Sequence, residues 1–250
     1  MDASRARSSA LTSPQGLRAS ETPSPPPEVI TPQFLKTAAQ ELNNPITTIK
    51  TALTLLNSPH LRPQQRQRYL DMIGQACDRQ SGLINNVFEL LQLQLMPQVS
   101  TQEKVQLWDL VPGVVSMYQP LTQENNILLA YTVAKELPPV LAIESYLKQV
   151  LVGVLANSIR FVKANGRIWV KAHQHGDRQV ALVIQDNGCG MASNELSQIF
   201  DPFYNHLSDG NGLGLALVQQ WLAHCGASIA VKSTPGEGTA FTILLTAAVN

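Results

Sequence analysis

The sequence predicts an α+β protein: a helical hairpin, able to build a dimeric four-helix bundle, followed by an α/β sandwich with helices on one sheet face. Three observations carry this. Apolar residues recur at coiled-coil spacing in the first third of the chain, and a proline-bounded break divides that pattern in two. After Pro97 short strand-like runs alternate with helical ones.

Residues 1–31 are rich in Ser, Pro, Arg and Ala and end in Ser-Pro-Pro-Pro at 24–27, a composition that reads as a disordered arm or linker. The Arg- and Ser-rich start has the composition of a transit peptide, but Asp2 and Glu21 argue against that reading. From Thr31, the residues Leu35, Ala38, Leu42, Pro45, Ile49, Ala52 and Leu56 follow a 3,4 spacing. A second segment repeats it through Leu70, Ile73, Cys77, Gln80, Ile84, Val87 and Leu91. The intervening stretch around Pro59 and Pro63 is a stop-and-restart signal, so residues 32–100 are expected to form a hairpin whose seams are buried by dimerisation. Residues 104–250 carry helical runs at 114–118, 146–161 and 215–223. Strand-like runs occur at 127–133, 167–173, 180–185, 228–233 and 239–245, and Gly176-Asp177 is placed as a hairpin turn.

Composition narrows the class. Among 250 residues, 18 Lys+Arg balance 18 Asp+Glu, which gives no electrostatic case for a nucleic-acid or anionic-membrane partner. A 44% apolar content excludes disorder throughout. Cys77, Cys189 and Cys225 are too far apart for a disulfide framework or a zinc site. The longest apolar runs, such as 150–156, cannot span a bilayer. The expectation is a soluble cytoplasmic protein in a reducing compartment.

Four short motifs follow in order. Asn157-Ser-Ile-Arg-Phe161 places an amide and a guanidinium on one helix, suited to Mg²⁺ and a phosphate or simply to solvent. Asp186-Asn-Gly-Cys-Gly190 ends a strand with a carboxylate that can accept from an adenine amino group, or forms an ordinary turn. Gly210-Asn-Gly-Leu-Gly214 opens a helix, where free N–H groups can cradle phosphate. Pro235-Gly-Glu-Gly-Thr239 is a tight turn before the last strand. Each is ambiguous alone, but their order and their separations of 29, 26 and 26 residues from Asn157 through Asp186 and Gly212 to Gly238 are not.

With Ile199-Phe-Asp-Pro-Phe203 between the second and third, this constellation resembles the ATP-binding domain of sensor histidine kinases, of the GHKL superfamily. The resemblance implies Asn157 as the Mg²⁺ ligand, Arg160 on phosphate, and Asp186 on adenine with Gly188 and Gly190 shaping the pocket. It further implies Gly212, Leu213 and Gly214 at the lid and phosphates, Phe200 and Phe203 anchoring the lid, and Thr239 at the nucleotide. One departure is Gly153, where the family often has a second Asn, and the lid, about 205–211, is short.

The stretch 34–49 resembles the dimerisation and phosphoacceptor helix of the same kinases, whose motif reads His-Glu-x-x-Thr/Asn-Pro. Aligned on Glu41 and Pro45, the acceptor position falls on Gln40, whose amide lone pair is delocalised and a poor nucleophile. His60, in the loop at the far end, is not on that face. The resemblance implies Glu41 as base and Asn44 as the residue orienting water when a response regulator receiver domain is dephosphorylated. Three roles in two-component signalling follow: a degenerate ATP-binding regulator or phosphatase, a trans-acting kinase in a heterodimer with an intact histidine kinase, or a nucleotide-gated interaction module without catalysis. A homodimer fits the first. Almost the whole chain beyond the arm is thereby assigned, so input is expected from a partner or from nucleotide. His173 and His175 face one way on a strand but lack a third metal ligand, Cys189 reads as small filler, and Trp108, Trp169 and Trp221 as core or interface residues.

Overall fold

The structure, a computed structural model, describes residues 28–58, 60–95, 101–205 and 210–248. Most of the predicted arm lies outside these residues. Its last four residues are described, and Val29 among them is buried, so the packed chain starts before Thr31.

Helix α1 (Pro32–Leu56) starts where the sequence provides a cap: Thr31 Oγ1 accepts from the Phe34 N–H at 3.1 Å, and Pro32 opens the first turn. Helix α2 (Pro63–Leu95) restarts at Pro63 and runs back along α1. Pro45 sits inside α1 with its ring buried, and the helix continues through it.

The α1 seam is as predicted except at its first residue, Leu35, which is 55% exposed. The α2 seam is displaced from the predicted one. Ala76, Leu83 and Leu90 are buried against the rest of the protein, whereas Leu70, Cys77 and Ile84 are exposed. Ile73, Gln80 and Val87 belong to the inner stripe, so the predicted seam mixed two faces of one helix. The reason is that α2 is apolar on both: one stripe serves α1, and the other faces away from it.

In the second half, strands β1 (Glu103–Val105) and β3 (Val140–Ala142) pair antiparallel as a two-stranded sheet. Strands β2 (Leu128–Val133), β4 (Arg167–His175), β5 (Gln179–Asp186), β6 (Ser228–Thr234) and β7 (Gly238–Thr246) form a five-stranded sheet ordered β2-β4-β5-β7-β6. Only β2–β4 is parallel, the pair joined through a helix. Helices α3 (Leu107–Glu124), α4 (Glu144–Phe161) and α6 (Gly214–His224) pack on the sheet face made by Ile168, Val170, Ile184, Phe241 and Ile243, and α5 (Ser193–Leu196) is one turn. All five long strands were legible in the sequence. The three-residue β1 and β3 were not, and α3 extends well beyond 114–118 despite Pro112 and Pro120. Each proline leaves the carbonyl four residues back without a helical donor, and these belong to exposed Trp108 and Ser116, where water can replace it.

Leu83 is 2% exposed on the inner α2 stripe. Leu83→Ala is expected to lower unfolding stability by about 2–5 kcal/mol in chemical denaturation, at every protein concentration, because the contact it loses lies within one chain.

Candidate functional site

The residues of the four motifs converge between α4, the β5 end and the start of α6. Asp186, at the end of β5, is 6% exposed and makes three hydrogen bonds. Ser158 Oγ donates to Oδ2 at 3.0 Å, the Gly188 N–H to Oδ1 at 2.9 Å, and the Thr239 N–H to Oδ1 at 3.2 Å. Burial pushes this carboxyl above its ordinary 3.8, and the donors from Gly188, Ser158 and Thr239 oppose that shift. An ionised carboxylate has about four acceptor positions. Three are used, which leaves one for a further donor.

The turn after Asp186 needs its glycines. Gly190 has φ 65°, and a Cβ there would run into the Thr234 carbonyl. Gly212 has φ 67°, and a Cβ would meet the Phe203 backbone, whose N–H donates to Gly212 O at 2.9 Å. At Gly153 an added Cβ would come within 3.0 Å of Val218 Cγ2, so α6 lies against α4 where the family often has an Asn.

A cavity of about 280 Å³ opens beside this turn, lined by Asn157 and Arg160 from α4, Met191, Tyr204, Asn205 and the glycine-rich backbone 210–214. Of the predicted residues, Asn157, Arg160, Gly212 and Gly214 line it. Asp186, Gly188 and Thr239 form a hydrogen-bonded group outside that lining, and Gly190 packs against the Thr234 carbonyl. Leu213 is fully buried in the core, its N–H donating to Asn211 Oδ1 at 3.2 Å. Phe200 and Phe203 line a separate concavity with Phe34 of α1, and the Phe34 and Phe203 rings lie 5.1 Å apart. Ser158 is the neighbour of Asn157 in its motif. Sequence reasoning passed over it because a serine one residue from an exposed amide gives no sign that it points inward.

The groups present suit an adenine nucleotide: a carboxylate, Asp186, with one acceptor position unused, the Arg160 guanidinium, and the N-terminal turn of α6. Asn157 offers one oxygen to Mg²⁺, an ion that takes most of its ligands from phosphate and water.

A second groove, about 790 Å³, runs between the hairpin and the glycine-rich segment. Glu41, Asn44 and Thr48 of α1, Asp78 and Arg79 of α2, and Gly210 and Asn211 line it. Arg79 Nη2 donates to Gly210 O at 3.2 Å, and Asn205 Nδ2 donates to the same oxygen at 2.7 Å. Gln40 is exposed and is not among the lining residues. Further along α2, Trp221 Nε1–H donates to Glu89 at 3.0 Å, and His224 Nε2 lies 2.9 Å from the Leu93 carbonyl. Of the three tryptophans read as core or interface, Trp221 is buried at the contact with the hairpin, Trp169 is half-buried and Trp108 is 39% exposed; Cys189 is exposed rather than filler. Among the described residues no His, Cys, Asp or Glu cluster suits a metal, His173 and His175 included.

Residues 142–249 match the family described as "Histidine kinase-, DNA gyrase B-, and HSP90-like ATPase", and residues 32–95 match "His Kinase A (phospho-acceptor) domain". The chain belongs to the sensor histidine kinase family. Its relatives include the signal transduction histidine-protein kinase AtoS of Escherichia coli strain K12, 34% identical over 85% of this chain and 34% of AtoS. The sensor histidine kinase ZraS of Salmonella typhi is 30% identical over 83% of this chain and 44% of ZraS. The chain therefore spans between a third and a half of these histidine kinases. Full-length ShkA, solved in complex with AMPPNP, aligns over 88% of this chain and 47% of ShkA, with a TM-score of 0.65 and 27% identity. ThkA, solved in complex with the response regulator TrrA, covers 87% of this chain and 62% of its own, with a TM-score of 0.71 and 21% identity. The latter likeness is one of fold. No helix among the described residues is long and apolar enough to cross a membrane.

Because burial raises the Asp186 pKa, the folded state holds that proton more tightly than the unfolded chain does. Asp186 therefore favours folding below about pH 3.8, and the contribution is lost as pH rises through the raised folded value. Asp186→Asn keeps an oxygen for Gly188 and Thr239 and can donate to Ser158, yet has no ionisation to resist. Its stability relative to wild type should climb as pH rises above about 3.8 and through the raised folded value, in denaturant unfolding. A flat difference would contradict this account of Asp186.

Proposed function

We propose that this chain is an ATP-binding signalling module of a two-component phosphorelay that acts on other proteins instead of phosphorylating itself. Gln40 stands where the family carries its acceptor imidazole, and its amide nitrogen has no free lone pair for phosphoryl transfer. The reading favoured is a response-regulator phosphatase or regulator. The observation that supports it is the groove in which Glu41 and Asn44 share walls with Gly210 and Asn211 of the nucleotide lid. A phosphorylated receiver domain entering that groove would meet an amide able to orient water and a carboxylate able to accept its proton. The lid would be close enough for nucleotide to bias the encounter.

In this reading residues 32–100 are the dimerisation half and 104–250 the nucleotide half. Asn157, Arg160, Asp186, Gly188, Gly190, Gly212, Leu213, Gly214 and Thr239 serve the nucleotide, with Phe200 and Phe203 anchoring the lid. Mg²⁺ held at Asn157 would supply charge neutralisation at the phosphates. Dimerisation is supported by the apolar stripe that one chain leaves uncovered, with Ile46 and Leu53 on α1 and Leu70, Ile84 and Phe88 on α2. The same stripe supports a second reading, pairing with an intact histidine kinase whose acceptor this nucleotide domain would phosphorylate.

Incubation with labelled ATP separates these. The wild-type chain should acquire no acid-labile, base-stable label, whereas Gln40→His should gain it; label on wild type alone would refute the role given to Gln40. Label on an added intact kinase lacking its own nucleotide site would favour the heterodimer. Asn44→Ala should slow dephosphorylation of a phosphorylated response regulator by about tenfold or more, and unchanged rates would leave a non-catalytic, nucleotide-gated module. Asp186→Asn should weaken nucleotide binding by about tenfold, because its amide can present a donor to adenine's donor.

A further inference from the structure

The five-stranded sheet has a second face that no helix among the described residues covers. Side chains pointing to it alternate along each strand with those of the core. The strand register places Lys232, Ala240, Gln185, Trp169 and Ala130 in a single row across all five strands. Lys171 lies in the next row and Arg167 at the edge beside Leu128, which is 55% exposed. All three cations are exposed, and so are His173 and His175 on the same face of β4.

No Asp or Glu occupies an outward position on any of the five strands. The carboxylates nearest in sequence, Asp177 and Glu237, sit in the turns that join strands. The chain as a whole balances 18 cations with 18 anions, so this is segregation and not general basicity. Between Trp169 and Lys232 the row holds the exposed, uncharged Gln185 and the short, half-buried Ala240. Five strands about 4.8 Å apart and six to nine residues long at about 3.3 Å each give a face of roughly 20 by 25 Å. That suits the smaller, transient class of protein contact.

We infer that this face docks an acidic protein segment, with carboxylates meeting Arg167, Lys171 and Lys232 and an apolar side chain seated against the exposed Leu128. A protein is favoured over nucleic acid by the geometry at Trp169. The Lys171 Nζ and the Arg167 guanidinium lie over its ring, 5.8 Å and 6.0 Å from the centroid, where a stacked base would have to sit. The face lies on the side of the sheet opposite the nucleotide cavity, so occupancy here leaves the cavity open.

The test uses the full chain and short labelled peptides of alternating Glu and Tyr, Gln and Tyr, or Lys and Tyr. Oligo(dT) and phosphatidylserine vesicles serve as the polyanion and lipid arms. Wild type should bind the Glu peptide at least about tenfold more tightly than the Gln peptide, and the difference should shrink with salt. The Arg167→Glu, Lys171→Glu double variant should lose that preference and gain binding to the Lys peptide. Lys232→Glu, a single exposed change on the edge strand, should move in the same direction, with its thermal transition reporting the fold. Equal binding of Glu and Gln peptides by wild type, an unaltered preference in the folded variants, or tighter binding of oligo(dT) or vesicles would overturn the proposal.

Discussion

A carboxylate buried at the end of a strand must be satisfied by donors from other elements, and the donors that reach Asp186 come from three places. Ser158 brings the middle of α4, Gly188 brings the turn that follows β5, and Thr239 brings the start of β7. The position of α4 over the sheet, the course of the turn and the entry to the last strand are therefore fixed by one side chain. The cavity beside it is a consequence. Asn157 and Arg160 face it because Ser158, their neighbour on the helix, is drawn inward. The desolvation that raises the carboxyl's pKa is the cost of that arrangement, and the three bonds offset part of it.

The hairpin is connected to this unit through both of its helices. Near its start, Phe34 lies against Phe203, whose own backbone is hydrogen-bonded to Gly212. Along α2, Arg79, Glu89 and the Leu93 carbonyl bind Gly210, Trp221 and His224 in turn. Most of these contacts fall on residues next to the glycine-rich segment or on α6, which begins in it. A nucleotide that repositioned 210–214 would therefore act on the hairpin through short, direct contacts, without a relay through the core.

Legibility in the sequence followed the range of the interaction. The five long strands, α4, α6 and the Pro63 restart of α2 are set by periodicity and turn residues within a few positions, and they stand where pattern placed them. The motif residues were legible by order and spacing. What pattern missed depends on contacts distant in the chain. The α2 stripe that meets α1 cannot be told from the stripe that faces away when both are apolar, as Leu83 and Ile84 illustrate. Ser158 and Phe34 acquire their roles only from Asp186 and Phe203. The two prolines of α3 read as breaks because the tolerance for each lies in the exposure of a carbonyl four residues earlier. Strands as short as β1 and β3 leave too few residues for any alternation to register.

Pro45 gives α1 a mechanical property. Lacking an N–H, it leaves the Glu41 carbonyl without its partner in the helix, at the level where Glu41 and Asn44 enter the groove. A bend at that point breaks no bond, because the bond is already absent. Helix α1 is for this purpose two stiff rods, one carrying Phe34 to Phe203 and the other running to the hairpin loop, with Gln40 and Glu41 just before the joint between them.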